Sequence, residues 1–571
     1  MLDHPALREQ IITYIGNKRK LLFFIQRGIE EILREEGKGP ANPRGDAEGE
    51  PLRFLDAFAG SGVVSRMARL LGFRVHANDL EQYSAPLINP FLTIDPAEAE
   101  SLFAPVAGSL GLSPSGASYS RHGELPFDVP APSYDAVLDY LNGLTEPVSD
   151  ENRYFALHYA PQNTANADPA RERLFYTREN GLKIDAILEA LRGPAFDLDA
   201  AREAVLASLL HQMSVHVNTS GVMKGYHNGW GGRGKDALGR IMAPIALASL
   251  PFIGGPKGTV STRPAEELFT EGRLPEQDII YADPPYNIHQ YGANYHLLNT
   301  AILGDRYDPG PVLHGSRAGI RRDHNRSPFC RSVRDEESGL RECEAAFERF
   351  VRRIRGRYLL VSYNTDGLIP PQKMAKILSQ GGKNRVTATV QEHIKFKGGK
   401  NTQSSLRTRE ILYRVDLDRR GTGVELDGIV ALLAREERLG RLKDSYIDPK
   451  ALPWKLEQLK SGEILCRRDG VPLLRLRRDF RLLEVFPAGM EETVLDAIEA
   501  GRIEKLRLME RYVDEGMVPE AIDLLRSFKI RKYRKELLHF AAKIDTLAPE
   551  GERERLRRML DSYGIRLARR S

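Results

Sequence analysis

Asp283-Pro284-Pro285-Tyr286 directly follows the apolar run DIIYA, which reads as a buried strand. The residue types suit one kind of chemistry. An exocyclic aromatic amine is a poor nucleophile because its lone pair is delocalised into the ring. Two acceptors on its N–H groups favour a pyramidal nitrogen and free that lone pair. Asp283 supplies one acceptor and the carbonyl of Pro284 the other. Pro284 and Pro285 stiffen the backbone that presents this carbonyl, and Tyr286 offers a ring on which a base can stack. In doubly wound sheets, ligand chemistry lies beyond the carboxyl ends of the strands, which is where this tetrapeptide falls.

A second signal is Phe54-Leu55-Asp56-Ala57-Phe58-Ala59-Gly60-Ser61-Gly62, a strand running into a glycine turn and then a helix, VVSRMARLLGF. Asp79 closes the next strand, RVHAND, where a carboxylate can accept hydrogen bonds from ribose hydroxyls. The third glycine of the dinucleotide fingerprint is missing, which disfavours NAD and fits a cofactor without a pyrophosphate. Tyr14-Ile15-Gly16-Asn17-Lys18 near the N-terminus is a third signal, a turn ahead of the amphipathic run KLLFFIQRGIEEILREE. Gly229-Trp230-Gly231-Gly232-Arg233-Gly234-Lys235-Asp236 nearly spells a phosphate-binding loop. Asp stands there in place of the Ser or Thr that would meet Mg²⁺, so it reads instead as a cationic loop for DNA phosphates or, equally, as a plain surface loop.

These motifs need a scaffold. Strand, glycine turn, helix and strand make a βαβ unit, so the fold class expected is α/β, a doubly wound Rossmann-like sheet. The chain of 571 residues is long enough for several structural units. Residues 1–85 carry the first part of the catalytic domain, 86–255 an inserted, mainly helical unit, and 256–420 the second part with the tetrapeptide. The break RRGTG then opens a basic, mainly helical domain at 421–571, with one hairpin around EILCRRDGVPLLRL. Another hairpin is expected around TATVQEHIKFKGGKNTQSSLRTREILYRVDL.

Composition excludes several classes. Hydrophobic residues at 41% and charged residues at 28% describe a globular enzyme rather than a disordered chain. No apolar run approaches the ~20 residues of a membrane span, and MLDHPALREQ lacks the pattern of a signal peptide, so a cytoplasmic protein without membrane contact is expected. Cys330, Cys343 and Cys466 are far apart, and His211 and His216 lack a ligand spacing, so no metal is assigned. The net charge of +5 is small, but basic clusters such as CRRDG, RLRRDF, KIRKYRK and RERLRRM concentrate after residue 420. They read as a cationic face gripping DNA phosphates, with a structural cap as the alternative.

Taken together, the three motifs resemble the Dam-like (alpha-group) N6-adenine DNA methyltransferases of the restriction–modification type. A Y-x-G-x-K element comes first, the FxGxG loop second, a target-recognition insertion third and DPPY fourth. FYTRENGLKID, VNTSGVMKGYHNGW, PPYNIHQYGANYHLL and the Gly/Lys-rich FKGGKNTQSSLRTREILY extend the likeness over roughly residues 10–416. The resemblance implies S-adenosyl-L-methionine as cofactor and double-stranded DNA as partner. It implies that Tyr14 and Lys18 hold the methionine part, that Asp56, Phe58, Gly60 and Gly62 line the cofactor site, and that Asp79 binds the ribose. Asp283, Pro284, Pro285 and Tyr286 then act on an adenine turned out of the duplex. The C-terminal 150 residues have no counterpart in the smaller members.

Three alternatives stand beside this reading: the same transfer to RNA, glutamine methylation (which uses Asn where this chain has Asp283), and a catalytically silent DNA-binding subunit. No nuclease motif is evident, so a restriction endonuclease or defence partner is expected as a separate chain.

Overall fold

The computed structural model describes the chain except for residues 1, 10, 11, 13, 15, 38–48, 114–130, 233, 273, 313–316, 335, 337, 338, 395–406, 443, 444, 487, 488, 490, 527, 529–532, 564 and 566–571. Strands β1 (Arg53–Asp56), β2 (Arg74–Asp79), β3 (Thr259–Thr262), β4 (Gln277–Ala282), β5 (Gly356–Asn364), β6 (Arg385–Ile394) and β7 (Arg407–Asp416) form one sheet in the order β3-β2-β1-β4-β5-β7-β6. The first five pair in parallel, while β7 runs antiparallel to both β5 and β6. Parallel strands covered on both faces need nearly continuous apolar runs, and IIYA of β4 and YLLVSYN of β5 are buried throughout. FKGGKNTQSSL, between β6 and β7 in the sequence, lies outside the described residues.

Strand order reverses between β1 and β4, because the chain first builds outward through β2 to β3 and then returns to build through β4 to β5. The ends of β1 and β4 therefore open onto a crevice at a topological switch point, where open α/β sheets bind ligands. Register sets both edges at one level: Asp56 is paired with Tyr281, one residue before β4 ends at Ala282.

Between β2 and β3 the chain is helical, including Ser84–Thr93, Ala99–Ser109, Pro132–Gly143, Arg178–Ala190 and Asp199–His216. These helices do not enclose a separate core. Phe91, Phe103, Tyr134, Ile187 and Leu209 belong to the same apolar cluster as Phe54 of β1 and Ile279 of β4.

Two compact units divide the chain, Met1–Val430 and Ala431–Ser571, and the helix Gly423–Leu442 runs across that division. The second unit contains an antiparallel sheet in the order β11-β10-β9-β8, formed by β8 (Lys455–Gln458), β9 (Ile464–Arg468), β10 (Val471–Leu476) and β11 (Leu482–Val485). Asp469 and Gly470 turn β9 into β10 with φ of +50° and +82°, as a two-residue hairpin requires. β8 and β11 are additions to the single hairpin read from the sequence. They are short, and KLEQ of β8 is exposed at every position, so no alternation of polar and apolar residues marks it as a strand. Five helices follow, from Glu492–Ala500 to Glu550–Ser562.

Several arginines of this unit are closely engaged by carboxylates. Arg438 meets Glu492, Asp496 and Glu499; Arg511 meets Asp448 at 2.6 Å and Glu515 at 3.0 Å; Arg555 meets Asp523 at 2.6 Å and Glu552 at 3.1 Å. Among the described residues no helix is long and apolar enough to cross a membrane.

Candidate active site

β4 stops because Pro284 and Pro285 have no N–H to donate, so the ladder with β5 closes at Ala282↔Val361. Asp283, the next residue, emerges onto the wall of a cavity together with Pro284, Pro285 and Tyr286. Lys18 Nζ lies 3.0 Å from Asp283 Oδ1 and 2.5 Å from Glu410 Oε1, and Ser362 Oγ donates to the same Glu410 oxygen at 2.6 Å. One ammonium is thus shared by two carboxylates. Burial alone would discharge Lys18, but Asp283 and Glu410 outweigh it and hold the ammonium firmly charged. Burial pushes the Asp283 carboxyl up to about 7; Lys18 opposes the rise and Glu410 adds to it. Lys18 also sits 5.7 Å from the centre of the Tyr286 ring. Gly16, at φ +80°, gives that ring room, since a Cβ there would stand 3.3 Å from its edge.

The opposite part of the wall comes from the turn after β1. Gly60 and Gly62 hold left-handed φ of +57° and +75°, a conformation that costs other residues roughly 1–2 kcal/mol. A Cβ on Gly60 would fall 2.7 Å from the Tyr14 ring, and one on Gly62 would fall 2.6 Å from Ile88. Gly60 therefore lines the cavity under Tyr14, whereas Gly62 starts the helix Val63–Leu70 one step behind the wall. Tyr14 stacks on Tyr295 with ring centres 5.2 Å apart and leans on Tyr291, so the run after the tetrapeptide anchors the N-terminal motif.

Asp79 accepts from Gly60 N at 2.7 Å and from Glu81 N at 2.9 Å, bracing the glycine turn from the end of β2 while still facing the cavity. Asp56 Oδ2 accepts from Ser65 Oγ at 2.6 Å, but its Oδ1 is buried with no hydrogen-bond partner. Burial pushes Asp56 up to about 7, the Ser65 hydrogen bond working against the rise and Asp283 and Asp79 with it. Phe58 meets Phe329 edge-on at 5.0 Å. Phe329 belongs to a loop clamped by Gln290, whose side chain accepts from Ser327 N at 2.7 Å and donates to Ser327 O at 3.1 Å.

With this geometry in place, similarity to known proteins becomes decisive. Residues 149–309, from the helical region through the tetrapeptide, match the D12 class N6 adenine-specific DNA methyltransferase family. Over that stretch the chain is similar to the members of that class. The chain is 26% identical over 393 residues to the type II methyltransferase M.NlaIII of Neisseria lactamica, covering 68% of this chain and 93% of that protein. It is 27% identical over 395 residues to the type II methyltransferase M.CviAII of Paramecium bursaria Chlorella virus 1, with the same two shares. M.FokI of Planomicrobium okeanokoites is 25% identical over 413 residues, 71% of this chain and 53% of that protein. No solved structure matches the chain.

The fold brings Tyr14, Lys18, Asp56, Phe58, Gly60, Asp79, Asp283, Pro284, Pro285 and Tyr286 to one cavity; of the residues expected there, Gly62 stands off the wall. Lys18, which the resemblance ties to the methionine part of the cofactor, has its ammonium on Asp283 and Glu410. Three polar residues were not singled out from the sequence. Glu81 lines the cavity, accepts from Asn299 Nδ2 at 2.7 Å and is pushed up to about 8, first by burial and further by Asp79. Its signal was a second acid two positions after Asp79. Ser362 interrupts an apolar run in β5, a pattern that can mark a buried polar contact but does not name the partner, whereas Glu410 stands among other polar residues in RTREILYRVD and nothing in the sequence sets it apart. In the loop at 229–236, Arg233 lies outside the described residues, and Trp230 Nε1 donates to Thr164 O at 3.0 Å.

Proposed function

We propose that the chain transfers a methyl group from S-adenosyl-L-methionine to N6 of an adenine at a specific site in double-stranded DNA, as the modification partner of a separate restriction endonuclease. The observation that carries this is the meeting of Asp283-Pro284 from β4 with the Asp56–Gly60 turn from β1 in a single cavity at the switch point. The pairing with an endonuclease is supported by the names of M.NlaIII and M.CviAII, both type II methyltransferases.

The residues fit the cofactor. Asp56 Oδ1, buried and without a partner, suits an amino-acid ammonium. Each Asp79 oxygen accepts one backbone N–H and retains a further lone pair for a ribose hydroxyl. Tyr14, Phe58 and Gly60 supply a largely apolar bed, and Gly62 acts from behind it by setting the turn. When bound, S-adenosyl-L-methionine supplies a sulfonium methyl group, which passes to the nitrogen while the C–S electron pair stays on sulfur.

The chain's own groups act on the other reactant. An adenine turned out of the duplex places its amino group against Asp283 and the Pro284 carbonyl, and Tyr286 stacks on its face. Asp283 accepts one N–H and takes up the proton that nitrogen must lose as it gains the methyl group. Catalysis is then mainly positioning and preorganised electrostatics.

Modification-sensitive sequencing of DNA from cells expressing the chain should show N6-methyladenine at one recurrent sequence. Asp283→Ala should reduce transfer by at least ~10²–10³-fold. Unmodified DNA from the wild-type strain, or near-normal transfer by the variant, would remove this reading.

A further inference from the structure

We infer that Glu410 is a positioning residue for the transfer: from β7 it shares the Lys18 ammonium with Asp283, so that Asp283 is not neutralised by its own counter-ion and remains a strong acceptor. The inference rests on the reading of Asp283 given above. Glu410 does not line the cavity, and its side chain is 2% exposed, against 16% for Asp283. It therefore acts through Lys18 rather than on a substrate.

The groups facing Asp283 come from every neighbouring element: Lys18 from the N-terminal motif, Asp56 from β1, Tyr281 from β4, Tyr286 beside it, Tyr291 from the following helix, Tyr363 from β5 and Glu410 from β7. Lys18 is the cation among them. With Glu410 ionised, the cluster of Lys18, Asp283 and Glu410 carries one net negative charge, and Ser362 holds Glu410 toward the ammonium. Without that charge the ammonium would collapse onto Asp283 as a simple ion pair and lower its basicity. The two neighbours thus push Asp283 in opposite directions: Glu410 raises its affinity for a proton and Lys18 lowers it.

The test is single-turnover methyl transfer from tritium-labelled S-adenosylmethionine to unmethylated plasmid DNA by the full chain between pH 5.5 and 9. Glu410→Gln should be at least ~10-fold slower at pH 7.5, with its acid limb displaced downward by about half a unit or more. Lys18→Gln should move the limb upward by about one unit or more. Glu410→Asp, which keeps the charge on a shorter stem, should leave the limb near its wild-type position. S-adenosylmethionine binding should stay within ~3-fold in all Glu410 variants, because that residue is off the wall. A uniform loss of rate in Glu410→Gln with an unmoved limb would reduce Glu410 to a structural role and overturn the inference; so would a limb moving the same way as in Lys18→Gln. Should Glu410→Gln fail to fold, a limb displaced in Glu410→Asp or unmoved in Lys18→Gln overturns it equally. Asp283→Ala separates the two readings. Transfer that persists there removes Asp283 as acceptor, whereas transfer lost there with an unmoved limb in Glu410→Gln removes Glu410 alone.

Discussion

Asp56 shows how a ligand site weakens the fold that carries it. Its carboxyl is raised from the ordinary 3.8 to about 7, chiefly by burial. Between those values the folded chain binds a proton that the unfolded chain has lost. The contribution of Asp56 to stability is therefore fully present below the unfolded pKa and is lost as pH rises through the folded one. Asp56→Asn keeps an oxygen for Ser65 Oγ but carries no charge to bury. Without cofactor its melting temperature should exceed that of the wild type by a margin that grows between about pH 4 and pH 7 and then levels off. Thermal denaturation at pH 5, 6, 7 and 8 measures this, and a margin independent of pH would count against a buried, unpartnered carboxylate. The same variant should respond weakly to S-adenosylmethionine, since it has given up the charge that suits an ammonium.

At the scale of elements, the site depends on a turn that a side chain cannot enter. Gly60→Ala meets both a left-handed backbone and the Tyr14 ring at 2.7 Å. Tyr14 cannot retreat easily because it is stacked on Tyr295. Gly111 supplies the control: its φ is +68°, yet a Cβ there meets nothing within 4 Å. Gly111→Ala should cost about 1–2 kcal/mol of stability and no cofactor affinity. Gly60→Ala should cost more than that and also weaken S-adenosylmethionine binding by ~10-fold or more, in line with the shift of the Tyr14 bed. Calorimetric titration of the two variants decides the matter, because equal binding losses would mean that the glycine turn and Tyr14 are not coupled.

Taken as a whole, the molecule pairs several arginines of its C-terminal region with acids, one of them, Arg475, in the basic cluster RLRRDF. Arg438, Arg475 and Arg511 each face at least two carboxylates. An arginine held this way must break its ion pairs before it can neutralise a phosphate. Replacing all three by Gln in the full chain should change the salt dependence of DNA binding by less than ~0.9 log unit per log unit of salt, the worth of one phosphate contact. A flattening of ~0.9 for each arginine would restore the phosphate-gripping face that the clusters suggest in sequence.

What the sequence determined by itself is local. Asp283 to Tyr286, Asp56 to Gly60 and Asp79 are legible because each sits within a few residues of a strand end, and the parallel-sheet pattern sends every such end to the same edge. The strands β1, β2 and β4, the β6–β7 pair and the helices after Lys18 and Gly62 were legible for a similar reason, since burial on one or two faces writes itself into short-range periodicity. The tertiary structure decided the electrostatics. Lys18 and Glu410 are 392 positions apart, and only the insertion of β7 between β5 and β6 carries Glu410 to the ammonium. A charge in a sequence has no partner until packing excludes water around it. For that reason Lys18 reads as a cofactor ligand in the sequence and stands between two carboxylates in the fold. Arg438 and Arg555 follow the same rule: their sign is written in the chain, and their neutralisation comes from carboxylates that folding places beside them.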